Sequence, residues 1–88
     1  MFQLFREFMR AKVAHSTHRT KHTIGTHLVS GVVALEINEH KGLYYLYRYD
    51  AMGRCLADTC HASLAEAMAQ AEYEYEIEGP WDKGNEAL

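Results

Sequence analysis

This chain has few cysteines, no long hydrophobic run and only four basic residues after residue 27. Two cysteines, Cys55 and Cys60, are too few for the disulfide framework of a small secreted scaffold, so reduced thiols are expected. The longest apolar stretch, near Leu28–Ile37, falls far short of the roughly 20 residues that span a bilayer. Arg6, Glu7 and Arg10 interrupt the first apolar stretch, which argues against a secretory signal. Phosphate-loop and dinucleotide-binding motifs are absent. These absences lead to the expectation of a cytoplasmic, non-enzymatic protein, with no cofactor, no membrane partner and no small-molecule substrate evident.

What is present is a globular composition. Hydrophobic residues make up 48% of the 88 residues and charged residues 24%, which argues against overall disorder. A chain this short buries only about 60% of its unfolded surface, so its core is small. The net charge of −3 hides a split. Arg6, Arg10, Lys12, Arg19 and Lys21 face the single acid Glu7 within residues 1–27, a balance of +4. Residues 28–88 carry a balance of −7. The two parts are expected to attract one another, or each to attract a partner.

At 100° per residue, Phe2, Leu4, Phe5, Phe8, Met9 and Val13 fall on one half of a helix, which predicts a helix over 2–14. Lys12 falls inside that apolar arc. Residues 15–27 are polar and rich in His and Thr, and read as a linker. In Leu28–Ile37, period-two alternation puts Val29, Val33, Leu35 and Ile37 on one face of a strand. Asn38–Gly42 has hairpin length, and Leu43–Tyr49 reads as a second strand. Asp50-Ala51-Met52-Gly53 carries the residues of a type I turn, followed by a third strand over Arg54–Asp58. Ser63 and Glu66 form a capping box, and Leu64, Ala67, Met68, Ala71 and Tyr75 share a stripe of the helix it opens. That helix is expected to run to about Tyr75–Ile77, with Gly79-Pro80 ending it and Trp81 folding back. Residues 72–78 alternate Glu with Tyr or Ile, a period that suits a strand equally. Glutamates at a helix C-terminus also oppose the macrodipole, a conflict that calls for a compensating partner.

The fold class expected is therefore α+β: a three-stranded antiparallel meander plus a C-terminal amphipathic helix (βββα), preceded by an N-terminal amphipathic helix. Residues 1–27 form the N-terminal helix and linker, 28–82 the domain and 83–88 a flexible tail.

Tyr44-Tyr45-Leu46-Tyr47-Arg48-Tyr49-Asp50, Gly53-Arg54-Cys55-Leu56-Ala57-Asp58-Thr59, His61, Ser63-Leu64, Glu66-Ala67, Gln70-Ala71-Glu72 and Glu74-Tyr75 make up a pattern over residues 42–82. It resembles a group of small uncharacterised bacterial proteins with a strand, an Asp-x-x-Gly turn, a strand ending in Asp-Thr, and a helix before a tryptophan. The resemblance implies a bacterial origin and the strand–strand–helix order, and implies no activity. Where Cys60 stands, the group usually has an aromatic residue, and the basic start is not part of its pattern.

Three constellations could carry function. His15, His18 and His22 are spaced for one helix face and could ligate a transition metal, with His27 as a fourth ligand, although Arg19 and Lys21 would repel a cation. Cys55, Cys60 and His61 are close in sequence, but neighbours in a strand point to opposite faces, which argues against a nucleophile pair. Tyr45, Tyr47 and Tyr49 share a strand face that could stack nucleobases, but the acidic domain supplies little of the positive charge this needs.

The reading expected is a protein-interaction module that self-associates as a homodimer. Its interaction residues are Phe2, Phe5, Phe8, Met9, Arg6 and Arg10, steered with Lys12 toward Glu72 and Glu76, together with the tyrosine face. The alternatives are nucleic-acid binding through the tyrosines and metal binding through the histidines.

Overall fold

The computed structural model describes residues 6–24, 27–28 and 30–83. The elements are β1 (Arg6–Ser16), β2 (Thr23–Ile24), β3 (His27–Leu28), β4 (Ala34–His40), β5 (Leu43–Tyr49), β6 (Cys55–His61), α1 (Leu64–Glu74) and β7 (Tyr75–Lys83). Five strands pair antiparallel in the order β6-β5-β4-β1-β7, and β2 pairs with β3 in a separate two-stranded ribbon.

The expected meander is present as β4-β5-β6, but the fold is mostly sheet, and the expected N-terminal helix does not form. Residues 6–16 are a strand paired on both sides, with β4 and with β7. The apolar residues Met9, Ala11 and Val13 also alternate with Arg10, Lys12 and Ala14. Short apolar runs satisfy both periods, and ladder bonds along two edges decide the outcome. Lys12, out of place on a helix, is exposed on the strand's polar side.

The last helix also ends earlier than expected, at Glu74. Tyr75 takes extended backbone, with φ −136° and ψ 145°, and the alternating segment continues as β7. Gly79-Pro80 therefore lies inside an edge strand and does not terminate a helix. Gly79 has φ +75°, and the register with β1 shifts between the Lys12–Glu78 and Arg10–Asp82 pairs, as a bulge requires. An edge position tolerates the missing proline N–H. The first domain strand starts later than expected, at Ala34, and the third extends to His61.

Several local readings hold. Leu43–Tyr49 is a strand with the expected ends. Gly53 N–H donates to Asp50 O at 3.0 Å, closing the Asp-x-x-Gly turn. The connection expected over Asn38–Gly42 is shorter, since Asn38–His40 belong to β4, and Lys41 and Gly42 have φ +54° and +82°, both positive, as a two-residue type I′ hairpin demands. Glu66 N–H donates to Ser63 Oγ at 3.1 Å, the expected cap.

The helix connects one edge of the sheet to the other. Eleven residues give a length of about 16 Å, and four strand spacings give a sheet width of about 19 Å. α1 thus covers a single face. Ala67 and Ala71 are fully buried, and their small side chains let the helix approach Leu35, Ile37 and Leu46 closely. Met9, Val13, Leu64, Met68, Ile77 and Trp81 pack around this cluster. Trp81 does fold back, and its Nε1–H donates to Glu72 Oε2 at 2.9 Å.

Candidate functional site

Two arrangements stand out, one buried under the helix and one on the uncovered face of the sheet. The buried one is an ion pair. Arg48 is 0% exposed and Glu74 is 1% exposed. Arg48 Nε donates to Glu74 Oε1 at 2.8 Å and Nη2 to Oε2 at 2.9 Å, a bidentate fork. Gln70 Nε2 donates to Oε2 at 2.5 Å, and His22 Nε2 lies 2.9 Å from Oε1. Arg48 also donates to Leu46 O and to Thr59 Oγ1, both at 3.2 Å. The Thr59 hydroxyl is then left to donate to His61 Nε2, 2.7 Å away.

The electrostatics follow this wiring. Burial alone would raise the Glu74 carboxyl, but hydrogen bonds from Arg48, Gln70 and His22 outweigh it and hold it below the ordinary value. Burial, then the nearby Arg48 guanidinium, push the His61 imidazole down, which favours the neutral acceptor. This network also resolves the charge conflict at the helix end. Thr17 N–H and Oγ1–H donate to Glu74 O at 2.8 and 2.9 Å, and the hydroxyl also reaches Tyr73 O at 2.6 Å. Beside it lies a cavity of about 350 Å³ whose lining includes Ser16, His18, Thr20, Lys21, His22 and Tyr75.

The uncovered face is organised in rows by the strand register. Asp58, Tyr47, Glu36 and Arg10 are successive cross-strand partners on β6, β5, β4 and β1. Cys60, Tyr45 and Asn38 form the row on one side. Tyr49, Ala34 and Lys12 form the row on the other. Tyr45, Tyr47 and Tyr49 stack with ring centroids 6.4 Å apart at each step. Tyr49 O–H points to Glu36 Oε1 at 3.4 Å, and Arg10 Nη2 lies 3.8 Å from Glu36 Oε2. Burial, then the Glu36 carboxylate, push the Tyr49 hydroxyl up to about 12. Burial and Asp58 raise Tyr47, and burial and Cys60 raise Tyr45. Asn38 Oδ1 is buried and has no hydrogen-bond partner among the described residues.

The residues expected from sequence are distributed as follows. The three tyrosines come together as alternation requires. Met9 packs against the core on the opposite face, so it is separated from Arg10. Phe2 and Phe5 lie outside the described residues, and Arg6 and Phe8 are described as strand backbone only. Glu72 and Glu76 are exposed, the first accepting from Trp81 and the second 3.2 Å from His15. The basic segment does meet the acidic one, but as paired strands, with Lys12 opposite Glu78 and Arg10 opposite Asp82. The spacing of His15, His18 and His22 does not become one helix face. His15 pairs with Glu76, His22 with Glu74, and His18 sits at φ +62°. Among the described residues no group of three His, Cys, Asp or Glu side chains forms a metal-binding cluster. Cys60 belongs to the tyrosine face, whereas His61 bonds to Thr59 next to the buried pair.

The Arg48–Glu74 pair was not anticipated from sequence. Arg48 has the same strand parity as Leu46, and Glu74 follows Ala67 and Ala71 at helical spacing. A charge on each apolar stripe was the available signal.

Comparison of the chain with protein families, with curated proteins and with solved structures returns no match. No helix among the described residues is long and apolar enough to cross a membrane.

Proposed function

We propose that this chain is a non-enzymatic protein-interaction module whose working surface is the uncovered sheet face. The observation that carries the reading is the column of three stacked tyrosines on the face opposite the helix. Tyrosine supplies large contact area with a polar end, the combination that protein interfaces favour. The buried ion pair fits a scaffold role, since it ties the end of the helix to the opposite face of the sheet.

The same face suits nucleic acid poorly. By register, Arg10 and Lys12 share it with Glu36, Asp58, Glu78 and Asp82. Phosphate binding needs the reverse balance.

Hydroxyl-radical labelling read by mass spectrometry tests this reading. Tyr45, Tyr47 and Tyr49 are compared with the exposed helix residue Tyr73, first in the dilute purified chain and then in extract of the cells that make it. The expected result is several-fold protection of the three strand tyrosines, relative to Tyr73, in the extract. Equal labelling ratios in both settings would overturn the proposal.

A further inference from the structure

We infer that the partner of this face is a second copy of the chain, packed face to face about a two-fold axis that runs along the strands between β4 and β5. The inference rests on the interaction reading above and names its occupant. Such an axis keeps each residue at its own level along the strands and exchanges the two sides of the sheet. β5 then faces β4 of the second copy, and β6 faces β1.

The cross-strand rows determine what would meet. Asp58 stands in the row of Arg10, so each Asp58 faces Arg10 of the second copy, twice per dimer. Tyr47 faces Glu36 of the second copy, and a phenol can donate to that carboxylate. Tyr45 faces Asn38 of the second copy, a phenol against a side-chain amide that can each donate and accept. Tyr49 faces Ala34 of the second copy, a large side chain against a small one. These four pairings are thus complementary in charge, hydrogen bonding or volume. An isologous contact requires this self-complementarity.

Moving the axis by half a strand, onto β4, removes the match. β6 would then face β7, setting Asp58 against the acidic strand that carries Glu78 and Asp82. The Asp58–Arg10 contact is specific to the axis between β4 and β5, since an axis between β4 and β1 would set Arg10 against Glu36 instead and leave Asp58 outside the contact. Aligned sheets packed at about −30° accommodate it, with the strands of each copy inclined to the axis by about half that angle.

The contact is small. The four overlapping strands β6, β5, β4 and β1, about 14 Å wide and seven residues or about 23 Å long, present a projected face of roughly 330 Å². A standard stable interface buries about 800 Å² per partner, so association belongs to the weak class and needs a concentration series reaching the high-micromolar range.

The test is sedimentation velocity of the full chain over that series, with the D58R and D58E variants. Asp58 is exposed, and unchanged circular dichroism verifies the fold of each variant. The expected result is a wild-type mass rising from 10.1 kDa toward twice that value, association at least tenfold weaker for D58R, and near wild-type association for D58E. Dimerisation of D58R equal to wild type would overturn the arrangement. A wild-type mass that stays at 10.1 kDa throughout would overturn the second copy as occupant. In that case, tyrosine protection in extract separately decides whether the face serves a different protein.

Discussion

Replacing Glu74 by Gln removes one charge while preserving nearly all the volume of the side chain. It leaves the Arg48 guanidinium, 0% exposed, buried without its counter-ion. Gln offers a single acceptor oxygen where the carboxylate offered two, so the fork from Nε and Nη2 cannot be reproduced. Breaking a buried pair in this way costs about 3–5 kcal/mol. Per-residue scaling gives a chain of this length a total stability of about 4–13 kcal/mol, so the loss is a large share of the whole. Urea unfolding followed by circular dichroism measures it. With a slope of about 2 kcal/mol/M, the midpoint should fall by about 2 M. The double variant Arg48→Met/Glu74→Leu should recover most of that loss, because an apolar pair of similar volume carries no desolvation penalty. A Glu74→Gln variant within 1 kcal/mol of wild type would refute the reasoning. It would mean that water reaches the pair and that the helix is anchored by apolar packing alone.

Other consequences follow from single features. Ser63→Ala removes the acceptor for Glu66 N–H and should cost about 0.5–2 kcal/mol in the same urea assay. On the alkaline side, the Tyr49 hydroxyl is pushed up to about 12, so the folded state holds a proton that the unfolded chain releases near 10. Stability should therefore fall as pH rises from about 10 to about 12, and a Tyr49→Phe variant should lose less over that window. On the acid side, His61 is lowered, so the unfolded chain takes up a proton first and stability should fall as pH drops below about 6.5. Glu74, also lowered, extends the loss to the pH range below the ordinary carboxylate value. His61→Gln should flatten the first of these two phases in pH-dependent thermal melts.

The middle of the fold was legible because local chemistry and tertiary packing agree there. The strand Leu43–Tyr49, the Asp50–Gly53 turn and the Ser63 cap each depend on residues within a few positions of one another, whereas the connection expected over Asn38–Gly42 shortens to Lys41-Gly42 because Asn38–His40 pair with β5. The two ends were not legible in the same way. Residues 6–16 satisfy a helical period almost as well as a period of two, and only their pairing with β4 and β7 settles the matter. Residues 75–83 showed their alternation openly, yet the Gly79-Pro80 step belongs to helix ends and edge bulges alike. For the candidate site, alternation correctly put three tyrosines on one face. Which face α1 would cover depended on a crossover from β6 to β7, and no local signal reports that path. The rows that join Asp58 to Arg10 across four strands depend on register between distant segments, and became visible only once β1 was placed beside β4.

The central claim is that the uncovered face recognises itself through those rows, and an exchange of charge tests it most directly. D58R and R10D variants are each examined alone and then mixed in equal amounts, with the mass read by sedimentation. Alone, each variant sets like charges against one another at both two-fold-related contacts, and each should remain near 10.1 kDa. Mixed, both contacts become complementary again, and the mass should rise toward twice that value. A mixture that sediments no faster than its separate components, while wild type dimerises, would contradict the account.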